Sequence, residues 1–368
     1  MSDAPVLFDT IPAGHYRIGV ATLNNSRRLN ALDNAMISLL QPQLDEWAQD
    51  PAIAMVVLQG AGDRAFCSGG DIRDMATAIK SGDLTRAERY FSEEYRLDYA
   101  LHTYPKPILA WCHGVTMGGG LGLMQGASHR VVTDDALLAM PEIGIGLFPD
   151  VGAAWFLQRM PGRLGLFCGL TGARLGADDA VSCGLADYRI AADRHGTVLG
   201  RLPTLAFSDD PAANHEALSV FLRAQHRAGA QSGMLQRLER INAITDHRDP
   251  VPIRDALAAA AEDDNWFAPC NTRVTDGSPT TFALVLEQFT RCRRMSLREV
   301  LQMDLVIAMR CCKHSDFPEG VRALLLDKDG DPHWTPARLE DVDRTELAEY
   351  FIRPWPAGAG PLDDLGRH

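Results

Sequence analysis

The sequence has no Cys-x-x-Cys pair and no basic stripe interleaved with aromatics. It also has no uninterrupted apolar run near the roughly 18 residues that a membrane helix needs. The first absence excludes a zinc ribbon, the last a membrane-spanning helix, and the middle one argues against nucleic acid as a partner. No G-x-x-x-x-G-K-[ST] loop is present. The run Gly118–Gly122 does not fit G-x-G-x-x-G either, because the sixth residue counted from Gly120 is Gln125. A P-loop nucleotide triphosphatase and a Rossmann dehydrogenase are thereby disfavoured. The N-terminus lacks a basic-then-apolar signal pattern, and eight scattered cysteines suit reduced, structural thiols. The expectation is a cytoplasmic protein without metal and without a membrane association.

What is present is an ordinary globular composition: 46% hydrophobic and 23% charged residues over 368 positions. Thirty-six basic against 48 acidic residues leave a net charge of −12, so an anionic small substrate would need basic groups gathered locally. Short apolar runs at Tyr16–Leu23, Met55–Gln59, Ile108–Cys112, Arg130–Thr133 and Leu137–Met140 read as strands. Helical patterns at Asn34–Ala48, Arg86–His102, Gly119–Ala127 and Ala153–Gln158 lie among them. This alternation predicts an α/β domain with largely parallel strands. Ala191–Asp210 reads as a loop-rich break. Beyond it helix formers dominate, with apolar residues at helical spacing in Thr281–Arg293 and Ser296–Met309. The expected organisation is a core over 1–195, a mainly helical region over 196–355 and a flexible tail over 356–368.

Three segments carry unusual glycine chemistry: Ala65–Ile72, His113–Gly122 and Met140–Gly152. Gly70 and Gly119 each stand where a helix is expected to start, and Asp71 is placed to help cap the first. A helix N-terminus offers unpaired N–H groups and partial positive charge, and two such groups converging would form an oxyanion hole. The same glycines also serve tight helix–strand packing.

Ala65–Ile72 together with His113–Gly122 resembles the oxyanion segments of the crotonase (enoyl-coenzyme A hydratase/isomerase) superfamily. Glu93-Glu94-Tyr95, Met140–Gly152, Asp316–Ala323 and Asp327-Lys328-Asp329 resemble the 3-hydroxyisobutyryl-coenzyme A hydrolase branch. The likeness runs from Ile18 to Tyr350. It implies a crotonase-like ββα spiral core with a helical C-terminal region. It also implies hydrolysis of a short branched 3-hydroxyacyl-CoA thioester, a step of valine breakdown. Coenzyme A is then part of the substrate, and no cofactor is implied. In many superfamily members the C-terminal helices build trimers, which leaves a homo-oligomer open. Position by position, Gly70 and Gly119 would bind the thioester oxygen, and Glu142 and Asp150 would be the acid/base carboxylates. Glu94, with Gly119, Glu142 and Asp150, would line the acyl pocket. The coenzyme A portion would fall to Arg27, Arg28, Asn30 and Ala31, and to Cys67, Ser68, Gly70, Asp71 and Ile72.

Typical hydratases carry a second glutamate where this chain has Gly122, which favours hydrolysis over hydration. A hydratase or isomerase, and a non-catalytic acyl-CoA-binding protein, are the alternatives. Individual residues keep plainer readings too. Asp150 could cap a helix beginning near Val151. Glu94 shares a helical face with Tyr90, Leu97 and Leu101 and could sit at its wet margin. Arg27 and Arg28 could be ordinary surface arginines. His113 belongs to the scaffold under the resemblance, and Cys67 lacks a neighbouring base for a nucleophile's role.

Overall fold

The computed structural model describes residues 4–72, 79 and 83–366. The chain divides into two compact units, each gathered from three stretches of sequence. The first comprises residues 1–70, 97–138 and 175–236; the second comprises 71–96, 139–174 and 237–368. The units interleave along the chain, so neither follows the expected boundary at residue 195.

The first unit is built on a six-stranded sheet. Its strands are β1 (Val6–Ala13), β2 (Tyr16–Leu23), β3 (Ile53–Gly60), β5 (Ile108–Cys112), β7 (His129–Val132) and β9 (Tyr188–Arg189), adjacent in that order. Only the β1–β2 hairpin is antiparallel; the remaining pairs are parallel, as the strand–helix alternation requires. Alternate residues Ile18, Val20, Met55, Val57, Leu109, Trp111 and Val131 form one core. Val198, Leu202, Leu218 and Leu222 belong to the same core. The residues between them along β3, Val56 and Leu58, are buried too, as expected of a parallel sheet covered on both faces.

A second, three-stranded sheet orders β4 (Ala65–Cys67), β6 (Val115–Met117) and β8 (Leu137–Ala139). Ala65 lies opposite Val115 and Cys67 opposite Thr116, in parallel. This small sheet sets two glycine segments side by side, because Gly69-Gly70 follows one strand and Gly118-Gly119 the other.

Several features depart from expectation. Strand β1 lies in a stretch not read as a strand, where Pro12 weakens the pattern. Strands β4 and β6 are three residues each, too short for periodicity to register. The expected loop over Ala191–Asp210 contains a helix, His195–Arg201, whose Gly196 and Gly200 lower its propensity. Burial of Val198 and Leu202 in the core overrides that.

The second unit is mostly helical. Helices Pro279–Cys292 and Leu297–Cys311 turn the expected apolar stripes inward: Phe282, Val285, Leu286 and Phe289 in one, Leu297, Val300, Leu301 and Leu305 in the other. Ser278 caps the first, and a reciprocal Ser296–Glu299 capping box starts the second. The C-terminal stretch is packed rather than frayed. Leu362 and Leu365 are buried, Arg96 binds Asp364 and the Pro361 carbonyl, and Gln302 donates to the Leu362 carbonyl. Residues 367 and 368, the end of the expected flexible tail, lie outside the described residues.

Candidate active site

In the first unit, the Phe66 N–H donates to the His113 carbonyl (2.7 Å) and the Val115 N–H to the Arg64 carbonyl (3.0 Å). These bonds zip the two glycine segments together through the main chain. A methyl carbon added to Gly69 would stand 3.0 Å from the Met117 carbonyl oxygen and 3.6 Å from the Gly119 nitrogen. One added to Gly120 would stand 2.2 Å from the Cys67 carbonyl oxygen. Only glycine permits this approach. Gly119 opens the helix Gly119–Gly126, so its N–H stands outside the helix's own hydrogen-bond ladder. Gly70 is half-buried at the end of the neighbouring segment, bridged to Leu32.

The loop before that bridge holds the residues expected to meet coenzyme A. The Leu32 N–H donates to the Gly69 carbonyl and the Ser68 N–H to the Leu29 carbonyl. Asn30 is fully buried: its Oδ1 accepts from the Asn25 N–H, and its Nδ2 donates to the Ala61 and Ala65 carbonyls. At two of the positions expected to meet coenzyme A, the Asn30 side chain and the Ser68 N–H are engaged in holding the loop. The Cys67 side chain is also fully buried. Arg27 and Arg28 are exposed, whereas Ala31, Asp71 and Ile72 are half-buried. Arg27 lines a cavity of about 210 Å³ with Ser26, Asp63 and Arg64; Arg64 was not singled out in the sequence.

In the second unit, Glu142 starts a short 3-10 turn and Asp150 follows eight residues later; both are buried. Burial pushes the Glu142 carboxyl well above its usual range, and the charge of Asp150 pushes it further. Burial also lifts Asp150, to about 6, against the hydrogen bond from Tyr95, which favours its ionised form. That bond runs from the Tyr95 hydroxyl to Asp150 Oδ2 at 2.7 Å. Glu142 Oε2 is buried and has no hydrogen-bond partner among the described residues. A carboxyl oxygen left unpaired in the interior is costly unless it is used.

Asp150 does not cap a helix. Val151 and Gly152 both take the left-handed conformation (φ +52° and +77°), and the helix starts only at Ala153, with no side-chain cap. The turn instead aims the Asp150 carboxyl at Tyr95. Two further residues missed in the sequence hold this turn. The Gly152 N–H donates to Asp304 Oδ2, and Gln288 Nε2 donates to the Pro149 carbonyl, each at 3.0 Å. Each is a lone polar residue within an apolar helical stripe, and that interruption is the signal that could have found them. Glu94 is buried at 3% exposure, which removes the reading of a wet margin.

The Asp316–Ala323 motif backs the Glu142 turn. A methyl carbon on Gly146 would stand 2.5 Å from the Asp316 carbonyl, and one on Gly320 2.4 Å from that of Ile145. Asp316 itself accepts from the Ser278 hydroxyl (2.6 Å) and the Thr335 N–H (2.9 Å). All eight cysteines are buried. Among the described residues no group of three or more His, Cys, Asp or Glu side chains is arranged to hold a metal ion.

The enoyl-CoA hydratase/isomerase family model matches residues 18–351. A mitochondrial 3-hydroxyisobutyryl-CoA hydrolase of Gallus gallus is 38% identical over 344 residues, covering 91% of this chain and 86% of the relative. The human protein of that name is 36% identical over 336 residues, covering 90% and 86%. Among solved structures, a carnitinyl-CoA dehydratase from Mycobacterium thermoresistibile superposes with a TM-score of 0.87 at 30% identity, covering 98% of both chains. An enoyl-CoA hydratase from Rhodobacter sphaeroides gives 0.85 at 31% identity, covering 95% of this chain and 98% of that one.

Proposed function

The chain belongs to the enoyl-CoA hydratase/isomerase family, and from that premise we propose that it hydrolyses 3-hydroxyisobutyryl-CoA to 3-hydroxyisobutyrate and free coenzyme A. The observation that carries the reading is the pair of buried carboxyls, Glu142 with an unpartnered Oε2 and Asp150 held by the Tyr95 hydroxyl. The solved neighbours are titled for other reactions on acyl-CoA, which one fold accommodates. Gly122 brings no carboxylate to the helix where a two-glutamate hydratase has its second acid, and the relatives named hydrolases are 36–38% identical to this chain, against 30–31% for the solved neighbours.

In the proposed reaction the thioester oxygen takes hydrogen bonds from the Gly70 and Gly119 N–H groups as negative charge develops on it. Ionised Glu142, through its unpartnered oxygen, either takes a proton from the water that adds to the carbonyl carbon or itself attacks that carbon. The carbon–sulfur bond breaks, and the leaving thiolate of coenzyme A takes up the proton that water gives up; on the second route water then cleaves the acyl–Glu142 anhydride, which releases the acid and frees the carboxylate. Asp150, oriented by Tyr95, places the water or the substrate hydroxyl and moves protons. Glu94 lines the acyl pocket. No cofactor enters this scheme. The decisive experiment follows free thiol released from 3-hydroxyisobutyryl-CoA. Steady release supports the reading; no release, with turnover of an enoyl thioester instead, overturns it.

Tyr95 makes the pH dependence specific. Its hydrogen bond stabilises ionised Asp150, so Tyr95→Phe raises that carboxyl above about 6. A plot of kcat against pH then shows its acidic limb displaced upward, with a larger loss at pH 6 than at pH 8. An unmoved limb would mean that Asp150 does not act in its ionised form.

Arg27 and Arg28 are the proposed contacts for the coenzyme A phosphates. Replacing both with Ala should raise KM about fivefold at low salt and flatten its salt dependence, with kcat unchanged. An unaltered KM places the phosphates elsewhere. The relatives are named mitochondrial, so the cytoplasmic expectation draws no support from them. For this chain, no described helix is long and apolar enough to cross a membrane.

A further inference from the structure

We infer that Gln288 and Asp304 are positioning residues for Asp150: together they clamp the left-handed turn that aims its carboxyl. This rests on the reading that Asp150 serves thioester hydrolysis. The turn Pro149–Gly152 is held at both ends. Gln288 Nε2 donates to the Pro149 carbonyl on one side, and Asp304 Oδ2 accepts the Gly152 N–H on the other. The two clamping side chains are joined, because the same Gln288 nitrogen also donates to Asp304 Oδ1 at 3.0 Å. Both residues are fully buried, so no water competes for these bonds.

The clamp is needed because of what lies inside it. Val151 is β-branched and sits at φ +52°, a strained conformation that persists only where its surroundings over-determine it. Asp150 precedes it directly. A turn free to relax would carry the Asp150 carboxyl away from the Tyr95 hydroxyl that fixes it at 2.7 Å. Among the described residues neither Gln288 nor Asp304 hydrogen-bonds to Oδ1 or Oδ2 of Asp150; both hold the backbone on either side of it, and the Asp304 carboxyl also feels the charge of Asp150. The clamp joins residues 139 and 152 positions apart in the chain, which couples the C-terminal helices to the turn.

The test uses the full chain with Gln288→Met, which keeps length and burial but removes both donated bonds, and with Asp304→Asn as a second variant. Thiol release from 3-hydroxyisobutyryl-CoA should fall about 10²-fold in kcat with KM within about threefold, because a misplacement of about 1 Å suffices for such a loss. Val151→Gly makes the left-handed conformation intrinsically accessible, so adding it to Gln288→Met should recover at least about tenfold. Amide hydrogen exchange across residues 149–153, read by mass spectrometry without substrate, should be faster in Gln288→Met and slowed again by Val151→Gly. Wild-type kcat in Gln288→Met, a loss that Val151→Gly leaves untouched, or unchanged exchange would each overturn the clamp. Absence of thiol release from the wild type would overturn the hydrolase reading alone, since exchange still decides the clamp.

Discussion

Glu142→Gln will abolish thioester hydrolysis and, above neutral pH, make the protein more stable than the wild type. The first half follows from the unpartnered Oε2: glutamine keeps the shape but cannot take a proton or attack a carbonyl. Loss of such a group costs about 10²–10⁴-fold in turnover. The second half follows from burial. The Glu142 carboxyl stays protonated in the folded chain well above the usual carboxylate range, chiefly because burial penalises its charge. In the unfolded chain it ionises near its ordinary value of 4.5. Between these two values the folded state binds more protons than the unfolded state, so stability falls as pH rises through that window. Its contribution is fully present below the unfolded value and is lost by the time the folded group ionises. Glutamine does not titrate and escapes that loss. Thermal midpoints of wild type and Glu142→Gln should nearly coincide at pH 4.5 and separate at pH 8, with the variant higher by a few degrees. A variant less stable than wild type at pH 8 would show that Glu142 is compensated by partners and is no store of functional strain.

The glycine segments and the parallel sheet were legible because their signals are local. A strand of β-branched and apolar residues, a run of glycines and a helix start all sit within ten residues of one another. Glu142 and Asp150 were named through the resemblance of one short segment, Met140–Gly152, and the structure buries both. Tyr95, Gln288 and Asp304 were not, because what gives each its meaning is a partner 55, 139 or 152 positions away. Taken alone, each is a polar residue in an apolar helical stripe, a pattern that a solvated helix edge also produces. Asp150 shows the converse error. Its place before Val151-Gly152-Ala153 fits an N-cap, but two successive left-handed residues postpone the helix and free the carboxyl for Tyr95. Asn30 carries a similar lesson: its place in the loop is local, but the partners that engage its side chain are not.

Gly120→Ala will separate the two glycine segments and remove most of the catalytic rate, although Gly120 is assigned no contact with substrate. The new methyl carbon would fall 2.2 Å from the Cys67 carbonyl oxygen. That oxygen is backbone, and Cys67 ends a strand paired through Thr116 to the neighbouring one. No side-chain rotation relieves the collision, so either the start of the helix Gly119–Gly126 or the Ala65–Gly70 segment must move. Either movement takes the Gly119 N–H away from the Gly70 N–H. Losing one donor of such a pair costs about 10²–10³-fold in turnover, and the overpacking itself destabilises by about 1–3 kcal/mol. Turnover should therefore be measured well below the variant's thermal midpoint, so that the loss reports geometry and not unfolding. Gly176→Ala is the matching control: nothing stands within 4 Å of an added methyl carbon there, and its backbone (φ −80°) suits any residue. It should hydrolyse at the wild-type rate. If Gly120→Ala did so as well, the oxyanion would be stabilised somewhere other than between Gly70 and Gly119.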